Sequence, residues 1–316
     1  MKIKEKPEDF QVIEIPQIKL EDKGQYAVYK LKKINKNTED AIQIIRKKLN
    51  IPRKNISYAG TKDKIAITEQ YITIKTNKET KFEHENIKLE YLGRSQEPIS
   101  LGMLKGNKFK ITIRNLNGNE KINETKKIIN YFHKQRFSKN NAEIGKHLIK
   151  KEYAQAINYL KEDKTYGEKI KQHLQKSKND YVGALKTIPK KILTLYAHAY
   201  QSKIWNKTVK ELHKKQKLPK EIPIPGFSDY KTDDETKKEI EKILQEEQIT
   251  QKDFLNKDIP SLCIEGTTRK TITEAKNLKI QEYEKDEIHE NKKKLTITFE
   301  LGKGEYATNV MEQIIQ

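Results

Sequence analysis

The residues that invite a chemical reading first are those from Ser57 to Gln70, in the order Ser57-Tyr58-Ala59-Gly60-Thr61-Lys62-Asp63-Lys64-Ile65-Ala66-Ile67-Thr68-Glu69-Gln70. Ile56 to Ala59 reads as a strand, Gly60 opens a tight turn, and Ala66 to Lys75 reads as a second strand. The tip of the turn presents Asp63 between Lys62 and Lys64. A cationic surrounding suits a carboxylate that works in its charged form, and it adds positive potential for an approaching polyanion. From local chemistry alone, the same residues also describe an ordinary solvated hairpin turn, where Gly and Asp are common.

Other chemistries find little footing. Gly60-Thr61-Lys62 lacks the G-x-x-x-x-G-K-[ST] spacing of a phosphate loop, and no G-x-G-x-x-G follows a strand. The seven histidines (His84, His133, His147, His173, His198, His213 and His289) form no ligand pair of zinc-site spacing, so no metal is expected. One cysteine, Cys263, leaves no internal disulfide and no thiolate cluster. No G-x-S-x-G elbow is present.

The elements that must position Asp63 are legible from patterning. Phe10 to Ile15 and Gln25 to Leu31 alternate as strands, and a helix begins after Asn37 with Ala41, Ile42, Ile45 and Leu49 on one stripe. Phe109 to Arg114 reads as a strand behind a turn at Gly102 to Asn107. From about Ala142 the pattern turns helical. Ala154, Ile157 and Leu160 form one stripe, and Leu195, His198, Ala199, Ser202, Trp205, Val209 and Leu212 form the buried face of a longer helix. Pro219, Pro223 and Pro225-Gly226 mark a loop, and Thr232 to Glu235 caps a charged helix from about Asp234 to Glu247. Leu295 to Leu301 is again a strand, followed by a turn at Gly302 and Gly304 and a short helix. The order β-rich, α-rich, β predicts an α+β domain at 1–149 and 267–316, with a mixed or antiparallel sheet formed by both chain ends, and a largely helical insert at 150–266. Trp205 and Tyr200 are expected to pack the insert, and His198 to be a core histidine.

Composition bounds the partners. Lys+Arg number 65 against 45 Asp+Glu in 316 residues, a formal charge of +20 that attracts polyanions. Part of that excess fits a proteome with A/T-rich codons, given the abundance of Lys, Ile and Asn. Apolar residues make up 34% and the mean hydropathy is −0.93, which suggests a modest core built on isoleucine. The N-terminal residues carry acids early and show no apolar stretch, and no apolar run approaches the roughly 20 residues of a membrane helix. A cytoplasmic setting without membrane contact is the expectation.

The string A-G-T-K-D-K-x-A-x-T-x-Q is similar to the signature around the catalytic aspartate of TruD-family tRNA pseudouridine synthases. Five further segments resemble that family in its order: Lys4 to Glu14, Leu101 to Arg114, Asn130 to Phe137 (N-Y-F-H-K-Q-R-F), His198 to Asn206 and Leu301 to Val310. His133 and Ser138 stand where the family usually has glycine. The resemblance implies a pseudouridine synthase fold with a TRUD-type insert, tRNA as partner, and uridine 13 of the D-arm as target. It implies no cofactor, with Asp63 as the catalytic carboxylate. It points to Phe10, Asn130 and Tyr306 as substrate contacts with Phe132 beside them. Lys4, Lys62, Lys64 and Arg269 are candidates for electrostatic support or phosphate contact, Arg269 lying where the chain would re-enter the catalytic domain. Whether the carboxylate attacks the sugar, attacks the base or assists an elimination stays open, and a monomer is expected. Two rivals remain: a non-catalytic RNA-binding module on the same fold, and an RNA methyltransferase, which would need a glycine-rich donor loop.

Overall fold

The computed structural model describes residues 1–315. In chain order, β1 is Phe10–Pro16, β2 Tyr26–Ile34, α1 Thr38–Lys48, β3 Ile56–Tyr58, β4 Ile67–Lys75, β5 Phe82–His84, β6 Ile87–Ser95, β7 Leu104–Leu116 and β8 Lys127–Ile129. Helices follow as α2 Asn141–Ile149, α3 Tyr153–Leu160, α4 Gly167–Lys176, α5 Tyr181–Lys186 and α6 Lys190–Lys214. Then come β9 Glu221–Ile224, α7 Asp234–Glu246, β10 Thr267–Lys270, β11 Ile272–Glu274, β12 Lys276–Ile280, β13 Glu284–Lys285, β14 Lys293–Gly302 and α8 Ala307–Ile314. The chain forms two compact units, one of Met1–Ile128 with Thr273–Gln316 and the other of Ile129–Ile272.

The first unit is built on a mixed sheet of order β12-β14-β7-β1-β4-β2-β6-β5, with β13 beside β14 and β3 beside β4. Its one parallel pair is β1 with β4, and the remaining pairs are antiparallel. The C-terminal strand β14 joins β7 in register over most of its length, so both chain ends complete one sheet. Two large apolar clusters lie along it, beside a small one of Ala59, Ile99 and Leu104. Phe10, Val12, Ile111, Ile113, Ile297 and Phe299 pack with Val310, Met311 and Ile314 of α8. Ala27, Tyr29, Leu31, Ile72 and Ile74 pack with Ala41, Ile42 and Ile45 of α1. Asn37 caps α1 as its spacing predicts, its side chain accepting from Asp40 N at 2.9 Å.

Two turn assignments differ from the pattern. Residues 104–107 begin β7 rather than finishing a turn. Gly106 is glycine because a Cβ there would run into the carbonyl of Leu301 on the neighbouring strand, so the residue serves close strand approach. The proline-rich stretch after α6 contains β9, paired antiparallel with β10. In a two-stranded sheet, Pro223 can withhold its missing N–H from the ladder without depriving a second neighbour.

The second unit centres on α6, whose Trp205 and Tyr200 are fully buried. Trp205 Nε1 donates to Ile222 O at 3.1 Å and Gln201 Nε2 to Pro225 O at 2.7 Å, fixing the segment around β9. Leu195, placed on the buried stripe by periodicity, is 46% exposed, whereas Leu193, Tyr196 and Ala197 are buried. The inward face of α6 is therefore broader than an a/d stripe and shifted along the helix. α2 belongs with this unit: Gly145 allows it to approach the backbone of α6 at Tyr196. The unit thus begins at Ile129 and ends at Ile272, wider on both sides than the 150–266 read from patterning. No described helix is long and apolar enough to cross a membrane.

Candidate active site

Asp63 lies on the eight-residue connection between β3 and β4, with its side chain 41% exposed. Backbone bonds hold the ends of that connection, Gly102 N to Ala59 O and Asn35 N to Ala66 O, and buried side chains hold its middle. Thr38, at the first position of α1, accepts from Lys62 N at 2.8 Å and donates to Gln70 Oε1 at 2.8 Å. Gln70 Nε2 donates in turn to Gly60 O at 3.1 Å. Lys33, on β2 and without exposed surface, donates to Asp63 O at 2.9 Å and to Lys36 O at 2.6 Å. Thr38 and Gln70 are likewise buried. The turn's backbone is thus paired from below while the carboxylate stays outside, a pre-organised arrangement for a reacting group.

The two lysines flanking Asp63 take different places. Lys62 turns inward, and its Nζ meets Glu14 Oε2 at 2.6 Å with both side chains buried. The other Glu14 oxygen accepts from Tyr71 N at 3.2 Å, so β1, β4 and the turn share one buried ion pair. Lys64 is exposed on the turn.

Lys4 arrives from far along the chain, and its Nζ lies 2.6 Å from Asp63 Oδ2 and 4.0 Å from the centroid of the Phe10 ring. Lys4 sits at φ 61°, in the left-handed region that non-glycine residues seldom adopt. Its segment is held there by an ion cluster around Arg114, which is 2% exposed. Arg114 Nε donates to both Asp9 carboxylate oxygens at 2.9 Å, Nη1 to Asp286 Oδ1 at 2.9 Å and Nη2 to Glu287 Oε1 at 2.8 Å. The carboxylates push the guanidinium's pKa still higher, Asp9 foremost. Burial works to raise the Asp286 carboxyl, yet the Asn115 and Ile288 amides with Arg114 bring it net below its ordinary value. Phe10 itself is a core residue, 3% exposed, edge-on to Phe109. Tyr306 is half-buried and forms the N-terminal boundary of α8.

A second polar cluster lies within the other unit. Arg269, on β10, donates from Nη2 to Asn130 Oδ1 at 2.6 Å and from Nε to Asn130 O at 3.1 Å. Asn130 Nδ2 donates to Lys270 O at 3.0 Å, and the residue is 4% exposed. An amide has two N–H groups and two carbonyl lone pairs, so these bonds leave capacity for a further partner on each side. The same guanidinium lies 4.2 Å from the Phe132 ring centroid, with Arg136 at 4.9 Å and Trp205 edge-on at 5.5 Å. Phe132 is thereby packed, its backbone clamped reciprocally by Asn206 of α6. Arg269 belongs to this unit through the β9–β10 pair, rather than to a re-entry into the sheet domain. His133 takes φ −74°, and neither it nor Ser138 has positive φ, so neither position requires glycine.

Among the residues named from sequence, Lys4, Phe10, Lys62, Asp63 and Lys64 come together in one unit, and Asn130, Phe132 and Arg269 in the other. Sequence reading missed Glu14, Lys33, Thr38 and Gln70. Among the described residues no group of three His, Cys, Asp or Glu side chains could hold a metal ion.

The first unit thus carries a braced, outward-facing carboxylate on an α+β fold. The chain matches the family described as tRNA pseudouridine synthase D (TruD) over residues 1–171, 158–222 and 207–314. It is 33% identical to a Methanocaldococcus jannaschii protein described as a probable tRNA pseudouridine synthase D, over 99% of this chain and 91% of that one. Identity is 31% to the tRNA pseudouridine synthase D of Aquifex aeolicus, over 99% of this chain and 98% of the other. A solved Methanosarcina mazei structure titled under the TruD name shares the fold, with TM-score 0.82 and 22% identity over 99% of this chain and 93% of that one. The chain belongs to the TruD family and is a pseudouridine synthase.

Proposed function

We propose that this enzyme isomerises uridine 13 in the D-arm of tRNA to pseudouridine, with Asp63 as nucleophilic carboxylate and no cofactor. The N1–C1′ bond breaks with its electron pair going to uracil N1. The base turns, C5 bonds to C1′, and the proton lost from C5 is balanced by one gained at N1. No atom enters or leaves, so nothing beyond side chains and substrate is needed to balance the reaction. The carboxylate meets the cationic character that develops at C1′, as in glycoside chemistry.

What carries the reading is an exposed Asp63 carboxylate on a turn whose backbone is fastened by buried groups, with Lys4 at 2.6 Å. A base turned out of its stack needs a polar edge to read it. Asn130, with one donor and one acceptor left over, fits the uracil pattern. Phe10 and Tyr306 in the first unit, and Phe132 in the second, are each assigned a substrate contact on the strength of the family resemblance. Lys64 meets the RNA backbone, whereas Lys62 and Lys4 support the turn and Arg269 supports Asn130.

The experiment is incubation of unmodified tRNA transcript with the protein and with Asp63→Asn, without added cofactor, followed by carbodiimide-dependent primer-extension mapping. A stop at uridine 13 that the variant abolishes is expected. Binding without any stop would leave an RNA-binding module instead.

A further inference from the structure

The geometry points to Lys33 as a positioning residue for the reaction: a buried ammonium beneath the turn that fixes where the Asp63 carboxylate stands. This inference rests on the catalytic role proposed for Asp63.

Lys33 has no exposed surface, and no carboxylate lies within ion-pair distance of its Nζ among the described residues. Its Nζ donates to two backbone carbonyls, Lys36 O at 2.6 Å and Asp63 O at 2.9 Å. A buried charge satisfied by neutral carbonyls alone is costly to maintain. Methionine could fill the same space, but it would leave the Asp63 and Lys36 carbonyls without this donor. The site it braces is the one residue whose backbone must not drift, because the carboxylate of Asp63 is on the same residue as the bonded carbonyl. Lys36 O ties the same ammonium to the β2–α1 connection, next to Thr38, which holds Lys62 N. One lysine therefore locks the two connections together at the reacting residue.

The charged groups facing Nζ are few. From the turn they are the Asp63 carboxylate and the Lys62 ammonium, the latter paired with Glu14. From the β2–α1 connection it is Lys36, whose own ammonium is paired with Glu85 at 3.2 Å. The cross-strand neighbours Thr68 on β4 and Ile87 on β6 do not titrate. Burial lowers the Lys33 pKa to about 8, opposed by Asp63 and assisted by Lys62. The ammonium form is therefore lost as pH rises through about 8. The neutral amine keeps donors for the two carbonyls, so that loss weakens the brace without removing it.

The test is single-turnover pseudouridine formation at saturating enzyme, with tRNA affinity from filter binding and folding from thermal unfolding, for wild type, Lys33→Met and Asp63→Asn. Lys33→Met is expected to slow the single-turnover step on the order of 10²-fold, the scale of an ångström-sized misplacement, with tRNA affinity unchanged. The wild-type rate should fall through pH about 8 to a lower plateau, and Lys33→Met should lack that limb. A folded Lys33→Met with wild-type rate overturns the inference. Should that variant not fold, the wild-type profile decides: a flat rate through pH about 8 overturns it equally. Activity retained by Asp63→Asn would instead remove the catalytic reading of Asp63, a separate failure from that of Lys33.

Discussion

The Asp63 turn and the Asn130–Arg269 cluster hold the groups proposed to act on the substrate by opposite means. At the turn, buried side chains fasten the backbone through Gly60 O, Lys62 N and Asp63 O, and the carboxylate is left 41% exposed. At Asn130 the side chain proposed to read the base is itself fastened, its amide held by Arg269 and Lys270 O, and the residue is 4% exposed. A group that must meet developing charge keeps its free face, whereas a group that discriminates hydrogen-bond patterns gains from a fixed orientation. Removing the functional side chain should therefore affect the first region through rate and hardly through stability, while removing supports should affect both.

The largest expected effect breaks the comparison at its reactive end. Asp63→Asn should lower single-turnover pseudouridine formation on the order of 10³-fold or more, the upper part of the range for a directly acting carboxylate. Its melting temperature should stay near wild type, because a partly exposed ion pair such as Lys4–Asp63 contributes at most about 1 kcal/mol. A large loss of stability would mean that the carboxylate holds the turn rather than being presented by it.

Next in size is Arg114→Met, which leaves Asp9 and Asp286 buried without their cation. Denaturant unfolding should show a loss of about 3–5 kcal/mol. The pH dependence sharpens this. The Asp286 and Glu287 carboxyls are lowered in the folded state, Glu287 chiefly by Arg114. Their contribution is then fully present above the unfolded values of about 4 and is lost as pH falls through the folded ones. Acid unfolding of Arg114→Met should accordingly begin at higher pH than that of wild type. Unchanged acid unfolding would show that the cluster does not anchor the Lys4 segment energetically.

What sequence conveyed about these two regions differs for physical reasons. The turn is contiguous, so Gly60 and the cations about Asp63 could be read in place, and the strand and helix periods around it needed only local alternation. The contact of Lys4 with Asp63 and the assembly of Asn130 with Arg269 join residues distant in the chain, and spacing carries no trace of them. Lys33 did have a signal. Ala27, Tyr29, Leu31 and Lys33 share the inward phase of β2, and all are fully buried. The lysine was concealed by Lys30 and Lys32, which look alike in composition and lie on the other face. Gly106 and Pro223 misled because glycine and proline have more than one structural use: close strand approach and an edge strand there, turns elsewhere.

A smaller effect is expected in the second region. Arg269→Met removes the charge-assisted bond to Asn130 Oδ1 and the cation over Phe132. Hydrogen bonds to charged groups contribute about 1.5–3 kcal/mol, so thermal unfolding should register a loss of that order. If Asn130 reads the base through a fixed amide, the single-turnover rate should fall as well, and by more than tRNA affinity does. A loss of affinity alone would reassign Arg269 to phosphate contact and end the parallel between the two regions.

The smallest expected effect is also the most discriminating for the turn. Thr38→Val keeps shape but removes the hydroxyl that accepts from Lys62 N and donates to Gln70. Leaving buried partners unsatisfied costs about 1–3 kcal/mol. Asn37→Ala is its control: it deletes the neighbouring cap of α1, at about 1 kcal/mol, while sparing every bond to the turn. Were the brace only a contribution to overall stability, both variants would retain wild-type single-turnover rates in the temperature range where both are folded. If the brace fixes Asp63, Thr38→Val slows the reaction under those conditions and Asn37→Ala does not. The rate difference between two adjacent substitutions then measures how much of the turn's rigidity reaches the carboxylate.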